Sequence, residues 1–244
     1  SSLALRMTRK RGLFQQSRTV PLTPELLSWK GASIMKASGA ILAGGKSSRM
    51  KFNKAFAQID QQRSIEIIIN KFTSLFTETI IISNEPELYR EFNLPVYTDV
   101  YPRLGPVSGI HAALYYASCE PVFILGCDMP FISTQLIQDM VSRIGNYHAA
   151  VPSIDGFLQA TAAVYNKSSL PIFESCLKDE KLKLTRILKE ELKSLVLTED
   201  DMLSFGDISD MFFNLNDNET LEQARKIAGR LKESGLIVRP NISE

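Results

Sequence analysis

The chain has 244 residues, of which 44% are hydrophobic and 23% are charged; this length and composition fit a globular protein with a substantial buried core. Its 28 basic and 27 acidic residues give a net charge of +1, which argues against nucleic acid or a membrane surface as the partner. Three widely spaced cysteines argue against a disulfide scaffold, and the sequence has no apolar run of about 20 residues that could span a membrane. We therefore expect a cytoplasmic protein.

The first residues differ from those that follow. Basic side chains such as Arg6, Arg9 and Arg11 are crowded there, and Pro21 and Pro24 interrupt any long helix. The sequence predicts a disordered N-terminal extension at 1–34, a single domain at 35–235 and a C-terminal tail at 236–244. Two other interpretations of the extension stay open: a basic arm that binds a partner, or a natural start at Met35.

Apolar runs alternate with helical patterns from residue 38 onward. The predicted strands are 40–42, 79–82, 95–98 and 122–125, and the predicted helices are 64–76, 86–92, 107–117 and 133–144. This βαβ alternation predicts an α/β fold with a doubly wound, mostly parallel sheet and helices on both faces. In such a sheet, the functional loops follow the carboxyl ends of the strands.

The pattern beyond residue 150 is less regular. It predicts a strand and turn at 151–157, a strand at 160–165 that lies antiparallel at one side, and short strands at 194–197 and 212–216. Helical spacing predicts helices at 168–177, 184–192 and 220–232. No second core is evident, so we expect one domain.

Two glycines follow the first predicted strand, in the run Leu42-Ala43-Gly44-Gly45. Lys46, Arg49, Lys51 and Lys54 come next, so the loop offers backbone N–H groups and cations to a nucleoside triphosphate. It is not a P-loop, because Ala40 stands where that motif needs its first glycine, and no G-x-G-x-x-G spacing is present. The simpler alternative is a glycine turn beside solvated lysines and arginines.

Asp128 directly follows the strand predicted at 122–125. A carboxylate at that edge of the sheet is a natural ligand for a magnesium ion that bridges phosphates, although a lone aspartate there is commonly structural. Lys54, which we expect on a strand folded back over the glycine loop, could neutralise charge around the α-phosphate; the alternative is a solvated lysine. Asp99 ends another strand, where it could accept hydrogen bonds from guanine.

Four separate motifs, in order along the chain, resemble the molybdenum cofactor guanylyltransferases of the MobA-like nucleotidyltransferase family. They are the L-A-G-G-x-S-x-R-M run at 42–50, the G-P-V-S-G-I turn at 105–110 downstream of Asp99, C-D-M-P-F at 127–131, and N-x-N at 214–216. The resemblance extends from about residue 36 to residue 225. The chain departs from the family pattern at Lys51, where glycine is usual, and at Asn53, where an acid is common.

The resemblance implies a Rossmann-like nucleotidyltransferase fold and transfer of GMP from GTP to the terminal phosphate of molybdenum-molybdopterin, with Mg²⁺ held by Asp128. It implies catalytic roles for Lys54, Arg49 and Asp128, and candidate cofactor binding by Asn214 and Asn216, which would share one face of a strand. The GTP-binding residues it implies are Leu42, Ala43, Gly44, Gly45, Lys54, Ser83 or Asn84, Asp99, Gly105, Gly109 and Asp128.

The expected partners are therefore GTP and molybdopterin, with transient contact to other cofactor-biosynthesis proteins or molybdoenzymes. Two alternatives remain open at this point. A relative with the same fold could use CTP or another acceptor phosphate. The departures at Lys51 and Asn53 would instead suit a nucleotide-binding module that does not catalyse transfer.

Overall fold

The computed structural model describes residues 34–44, 53–102 and 104–233. These residues fall within one compact unit, Ser33–Glu244. The predicted extension 1–34, apart from Ile34, and the predicted tail 236–244 lie outside the described residues. The division into an extension, a single domain at 35–235 and a tail therefore stays a prediction.

An eight-stranded sheet forms the centre of this unit. The strands are β1 (Met35–Leu42), β2 (Gln58–Ile59), β3 (Gln62–Arg63), β4 (Phe76–Ile82), β5 (Val96–Tyr97), β6 (Val122–Gly126), β7 (Ala149–Ile154), β8 (Phe157–Leu158), β9 (Ala162–Tyr165) and β10 (Ser194–Leu197). The sheet order is β10-β7-β9-β6-β1-β4-β5, with β8 paired to β7, while β2 and β3 form a separate hairpin. The pairs β1–β4, β1–β6, β4–β5 and β7–β10 are parallel.

Helices cover both faces of the sheet, which confirms the predicted doubly wound fold. The α-helices are α1 (Ser64–Leu75), α2 (Pro106–Tyr116), α3 (Thr134–Arg143), α4 (Leu170–Lys178), α5 (Leu184–Arg186), α6 (Glu199–Met202), α7 (Ile208–Met211) and α8 (Asn218–Glu233). Short 3-10 helices cover Lys54–Phe56, Pro86–Phe92, Lys167–Ser169 and Leu203–Phe205, and a π-helix covers Ile187–Glu191. Apolar residues of α1 and α3 pack on one face of the sheet, and those of α2 and α4 pack on the other.

Strand β1 is central because both of its faces are buried. Ile41 packs in the cluster with α1, and Ala40 packs in the cluster with α2, as the continuous apolar run predicts for an inner parallel strand. Leu42 lies opposite Ile82 of β4 and Gly126 of β6. The three strands therefore end at the same edge, and this register brings the residues that follow them together.

Gly39 lets α1 approach the sheet closely. A Cβ atom at this position would lie 2.5 Å from ring atoms of both Phe72 and Phe76, which is closer than packed carbon atoms allow. Phe76 was predicted in the helix, but α1 ends at Leu75 and Phe76 begins β4. The glycine in the central strand thus makes room for the aromatic side chains at this junction.

Two predictions about the second half of the chain are wrong. Strand β9 is antiparallel as expected, but it lies inside the sheet between β6 and β7, not at one side. Residues 212–216 form no strand. Phe212 and Leu215 are buried there, and the Leu215 N–H donates to the Asp128 carbonyl at 2.9 Å, so buried side chains and single hydrogen bonds fix the segment instead of a ladder.

Candidate active site

The loops after β1 and β6 leave the sheet side by side. The N–H of Ala43 donates to the Ile82 carbonyl at 2.9 Å, and the N–H of Cys127 donates to the Leu42 carbonyl at 3.0 Å. Ala43 is buried, whereas Gly44 is exposed, so the chain turns toward solvent between them. The predicted site residues Gly45 and Arg49, and the departure at Lys51, lie outside the described residues.

The turn after β6 holds Asp128 close to its own strand. A Cβ atom on Gly126 would lie 2.7 Å from the Asp128 Oδ1 atom, so only glycine leaves room for this carboxylate position. The Ser64 hydroxyl donates to the Cys127 carbonyl at 2.7 Å, and Leu215 donates to the carbonyl of Asp128 itself. The start of α1 and the segment before α8 therefore fix the backbone of this turn.

Lys54 and Asn216 complete a group around Asp128. The Lys54 Nζ atom lies 3.5 Å from Asp128 Oδ2 and donates to Asn216 Oδ1 at 2.7 Å. The side chains of Lys54 and Asp128 are 23% and 28% exposed, so the group is open to a ligand. Three segments distant in sequence therefore bring an ammonium, a carboxylate and an amide together at the carboxyl edge of the sheet.

The prediction that Lys54 lies on a strand is wrong, because Lys54 begins a 3-10 helix. The cause is Asn53, whose Oδ1 atom accepts a hydrogen bond from the Ala55 N–H at 3.0 Å and caps that helix. The residue that departs from the family pattern thus shapes the segment that presents Lys54.

Asn214 and Asn216 have different environments, since they do not share a strand face. The Asn214 amide donates to the Phe212 carbonyl of its own segment at 3.1 Å. Asn216 is fixed by its N–H, which donates to the Thr220 hydroxyl at 2.9 Å, and its side chain contacts Lys54. The structure brings Asn216, but not Asn214, into hydrogen-bond contact with Lys54.

In the group around Asp128, the atoms that could bind a metal ion are oxygen atoms, those of the Asp128 carboxylate and the Asn216 amide. Among the described residues there is no group of three or more His, Cys, Asp or Glu side chains that could hold a metal ion. One carboxylate beside an amide oxygen nevertheless suits Mg²⁺, which is commonly bound through one or two carboxylates together with substrate phosphates and water. The residues present therefore fit a magnesium ion whose other ligands would be nucleotide phosphates and water.

A second polar pair lies at the ends of β4 and β5. The Asn84 amide donates to Asp99 Oδ2 at 2.8 Å, and the Asp99 N–H donates to Asn84 Oδ1 at 3.1 Å. Burial raises the pKa of Asp99, an effect that the Asn84 hydrogen bond and the nearby His111 only partly offset. Ser83 is buried, and its hydroxyl accepts from the Glu85 N–H at 3.2 Å. Of the two candidates left open, Asn84 is therefore the one that pairs with Asp99.

The two predicted glycines near α2 have different surroundings. Gly105 has a φ of 72° directly before Pro106 begins the helix, a conformation that favours glycine. Gly109 faces β1, because a Cβ atom there would lie 3.4 Å from a methyl carbon of Leu42. The first glycine forms the turn, whereas at the second a methyl group would make an ordinary van der Waals contact with Leu42.

Sequence reasoning missed two side chains that support these loops. Lys71 of α1 donates from Nζ to the carbonyls of Pro130 and Ile132 at 2.7 and 2.9 Å, and burial lowers the pKa of this lysine to about 7. The hydroxyl of Tyr89 donates to the Ala43 carbonyl at 2.8 Å. The signal for Lys71 was the single cation in the helix predicted at 64–76; nothing in the local sequence marks Tyr89.

Comparison with known proteins gives consistent matches. The MobA-like NTP transferase domain family matches residues 39–195. A relative from Clostridium perfringens, named "Probable molybdenum cofactor guanylyltransferase", is 42% identical over 63% of this chain and 77% of its own length. A relative of the same name from Peptoclostridium acidaminophilum is 33% identical over 82% of this chain and 93% of its own.

The similar solved structures support the same fold. The crystal structure of molybdopterin-guanine dinucleotide biosynthesis protein A from Archaeoglobus fulgidus has a TM-score of 0.69 at 20% identity, covering 79% of this chain and 99% of that one. Together, the fold and these matches define a nucleotidyltransferase, as the sequence predicted. The chain belongs to the MobA-like NTP transferase family.

Within the described ranges, no helix combines the length and apolar character needed to cross a membrane.

Proposed function

We propose that this protein transfers GMP from GTP to the terminal phosphate of molybdenum-molybdopterin, forming the guanine dinucleotide cofactor and pyrophosphate. Nucleotidyl transfer in molybdenum cofactor biosynthesis is supported by the family and by the names of the relatives. The observation that carries the chemical proposal is the convergence of Lys54, Asp128 and Asn216 at one edge of the sheet.

The proposed reaction is an in-line displacement at the α-phosphorus of GTP. An oxygen of the acceptor phosphate forms the new P–O bond while the bond to pyrophosphate breaks, so no covalent enzyme intermediate is needed. Lys54 stabilises the negative charge that develops on the α-phosphate oxygens. Asp128 would hold Mg²⁺, which when bound neutralises phosphate charge. The catalytic role of Arg49 also stays a proposal.

The proposed nucleotide site follows the carboxyl edge of the sheet. The candidate residues Leu42, Ala43, Gly44 and Gly45 would lie beside the phosphates. The donors would be backbone N–H groups that follow Ala43, because the Ala43 N–H already donates to the Ile82 carbonyl. The Asp99 carboxylate, oriented by Asn84, would accept hydrogen bonds from N1–H and the exocyclic amine of guanine. Gly105, in the turn before α2, and Gly109, on α2 beside Leu42, would line the wall of this site.

The acceptor would meet the site from the side of Asn216. Asn216 is exposed and already contacts the ammonium of Lys54, so its amide can bind a phosphate oxygen that approaches Lys54. Asn214 remains a candidate for cofactor binding in the same segment. Transient contact with other cofactor-biosynthesis proteins or molybdoenzymes also stays a prediction.

The test is pyrophosphate release from GTP, CTP, ATP and UTP in magnesium buffer, with and without molybdate-loaded molybdopterin. We expect release that requires the acceptor and strongly prefers GTP. Preference for CTP would overturn the assignment of the base and retain the transfer reaction. Binding of GTP without pyrophosphate release in the presence of the acceptor would instead indicate a module that does not catalyse transfer.

A further inference from the structure

The hydroxyl of Tyr89 joins two points of the chain on either side of residues 44–52. Tyr89 is fully buried. Its hydroxyl donates to the carbonyl of Ala43 at 2.8 Å and accepts from the Asn53 amide at 3.0 Å. Ala43 follows the central strand β1, and Asn53 caps the helix that begins with Lys54. One side-chain atom therefore links the end of the sheet to the segment that presents Lys54.

The ring of Tyr89 is held in place by its aromatic neighbours. It stacks on Phe56 with ring centroids 5.4 Å apart and lies 6.4 Å from the ring of Phe92. The Arg63 guanidinium lies over both phenylalanines, at 5.5 and 4.9 Å, and pairs with Glu91 at 2.8 Å. Because this packing fixes the ring, the hydroxyl has a fixed position from which to hold its two partners.

The chemistry of Asn53 matches this arrangement. The Tyr89 proton is used by the bond to Ala43, so the second partner of the hydroxyl must be a donor. An asparagine amide can donate there and still cap the helix with its oxygen, whereas an ionised carboxylate has no hydrogen to donate. Burial raises the pKa of Tyr89 to about 12, so the hydroxyl keeps its proton at neutral pH.

We propose that Tyr89 is a positioning residue for nucleotidyl transfer. Its hydroxyl fixes the spacing between Ala43 and Asn53, and through Asn53 it holds Lys54 against Asp128 and Asn216. Asn53 is then a working part of this link and not a sign of a degenerate site. The inference rests on the proposed function, because the reaction supplies the role of Lys54.

The test compares Tyr89→Phe with Tyr165→Phe. Tyr165 is a matched control, since it is also fully buried and its hydroxyl donates to an alanine carbonyl, that of Ala160, at 2.7 Å. Tyr165→Phe loses one buried hydrogen bond and Tyr89→Phe loses two, so both should lower the Tm, Tyr89→Phe somewhat more. Only Tyr89→Phe should lower kcat, by about 10- to 100-fold, with KM for GTP changed by less than about threefold.

A second measurement does not depend on turnover. Acetylation of Lys54 by an N-hydroxysuccinimide ester, quantified by mass spectrometry against the exposed Lys36, should be several times faster in Tyr89→Phe than in the wild type or Tyr165→Phe. Asn53→Asp retains the capping oxygen and removes the donor, so it should raise the rate similarly. The double variant Tyr89→Phe/Asn53→Asp should acetylate Lys54 little faster than either single variant, because both changes break the same hydrogen bond.

Equal kcat and equal Lys54 acetylation in Tyr89→Phe and Tyr165→Phe would overturn the proposal. Failure of the proposed function is a separate result. In that case the wild type would release no pyrophosphate from any nucleotide, and the acetylation rates would still decide whether Tyr89 positions Lys54.

Discussion

The two ends of the central strands each carry a carboxylate, and the two carboxylates have different environments. At the amino edge, Glu78 accepts hydrogen bonds from the Ser38 hydroxyl at 2.5 Å and from the N–H and hydroxyl of Ser118 at 2.7 and 2.8 Å. At the carboxyl edge, Asp128 has the ammonium of Lys54 at 3.5 Å. A carboxylate saturated by the protein holds the fold together. One with capacity for further partners can bind a ligand.

The largest expected effect is that of Asp128→Asn, which retains the shape of the side chain and removes its charge. We expect pyrophosphate release to fall by about 100- to 1000-fold, because the charge acts on the reacting phosphates. The Tm should change little, since the backbone of Asp128 is held by Leu215. Near-normal turnover in steady-state assays would contradict the proposed role of Asp128.

Gly126→Ala tests the site without removing any of its functional groups. The new methyl would lie 2.7 Å from Asp128 Oδ1, so the carboxylate must move, and we expect kcat to fall by about 10- to 100-fold. Gly229→Ala is the control. Its methyl would meet nothing within 4 Å inside α8, and it should stabilise the protein by about 0.5–1 kcal/mol. Equal kcat values would show that the carboxylate position is not needed.

Glu78→Gln should lower the stability of the protein and leave turnover unchanged, which is the reverse of Asp128→Asn. We expect a loss of about 1–3 kcal/mol in the free energy of unfolding at pH 7, with kcat unchanged. Burial alone would raise the pKa of Glu78, but the hydrogen bonds from Ser38 and Ser118 lower it overall. The stability from this group is therefore present above the pKa of the unfolded state and is lost as pH falls through the folded pKa.

Urea unfolding at pH 7 and at acidic pH checks this sign. The difference in unfolding free energy between wild type and Glu78→Gln should shrink at the lower pH. A constant difference would mean that the ionised carboxylate does not stabilise the amino edge.

The last prediction concerns the pH dependence of stability and Lys71, which holds the turn after Asp128. Its pKa in the folded protein is about 7, below the usual value of about 10.4 for a free lysine. The unfolded chain then binds more protons between these two values, so this group makes stability rise with pH across that window. Urea midpoints at pH 6.5 and pH 9.5 should therefore differ less in Lys71→Met than in the wild type. A larger difference in the variant would contradict the shift.

The sheet strands β1, β4, β5 and β6 could be predicted because each contains an apolar run that leads to a glycine or a polar residue; the short hairpin of β2 and β3 has no such run and was not predicted. Leu42 and Gly126 mark two such ends, and the register places them opposite each other. The motif at 127–131 was sufficient to put Asp128 at the sheet edge. These features depend on local sequence and on the general geometry of parallel sheets.

The rest depends on partners that are distant in sequence. The run Phe212-Phe213 suggested a strand, but the segment forms no ladder, and the buried side chains of Phe212 and Leu215 anchor it instead. Strand β9 looks like an edge strand in sequence, and only its pairing with both β6 and β7 shows that it is internal. The link from Tyr89 to Ala43 spans 46 positions. The hydrophobic pattern of a sequence cannot predict a hydrogen bond made by one hydroxyl at that distance along the chain.

The antiparallel strand β9 also bears on how this protein can change in evolution. It separates a parallel half, made of β6, β1, β4 and β5, from a second half made of β7, β8 and β10. Because β9 forms a ladder with each half, insertions in the loops of the second half can lengthen or reshape it without altering the register of β1, β4 and β6. Duplicated copies of the gene could therefore diverge in the second half of the sheet and keep the parallel half unchanged.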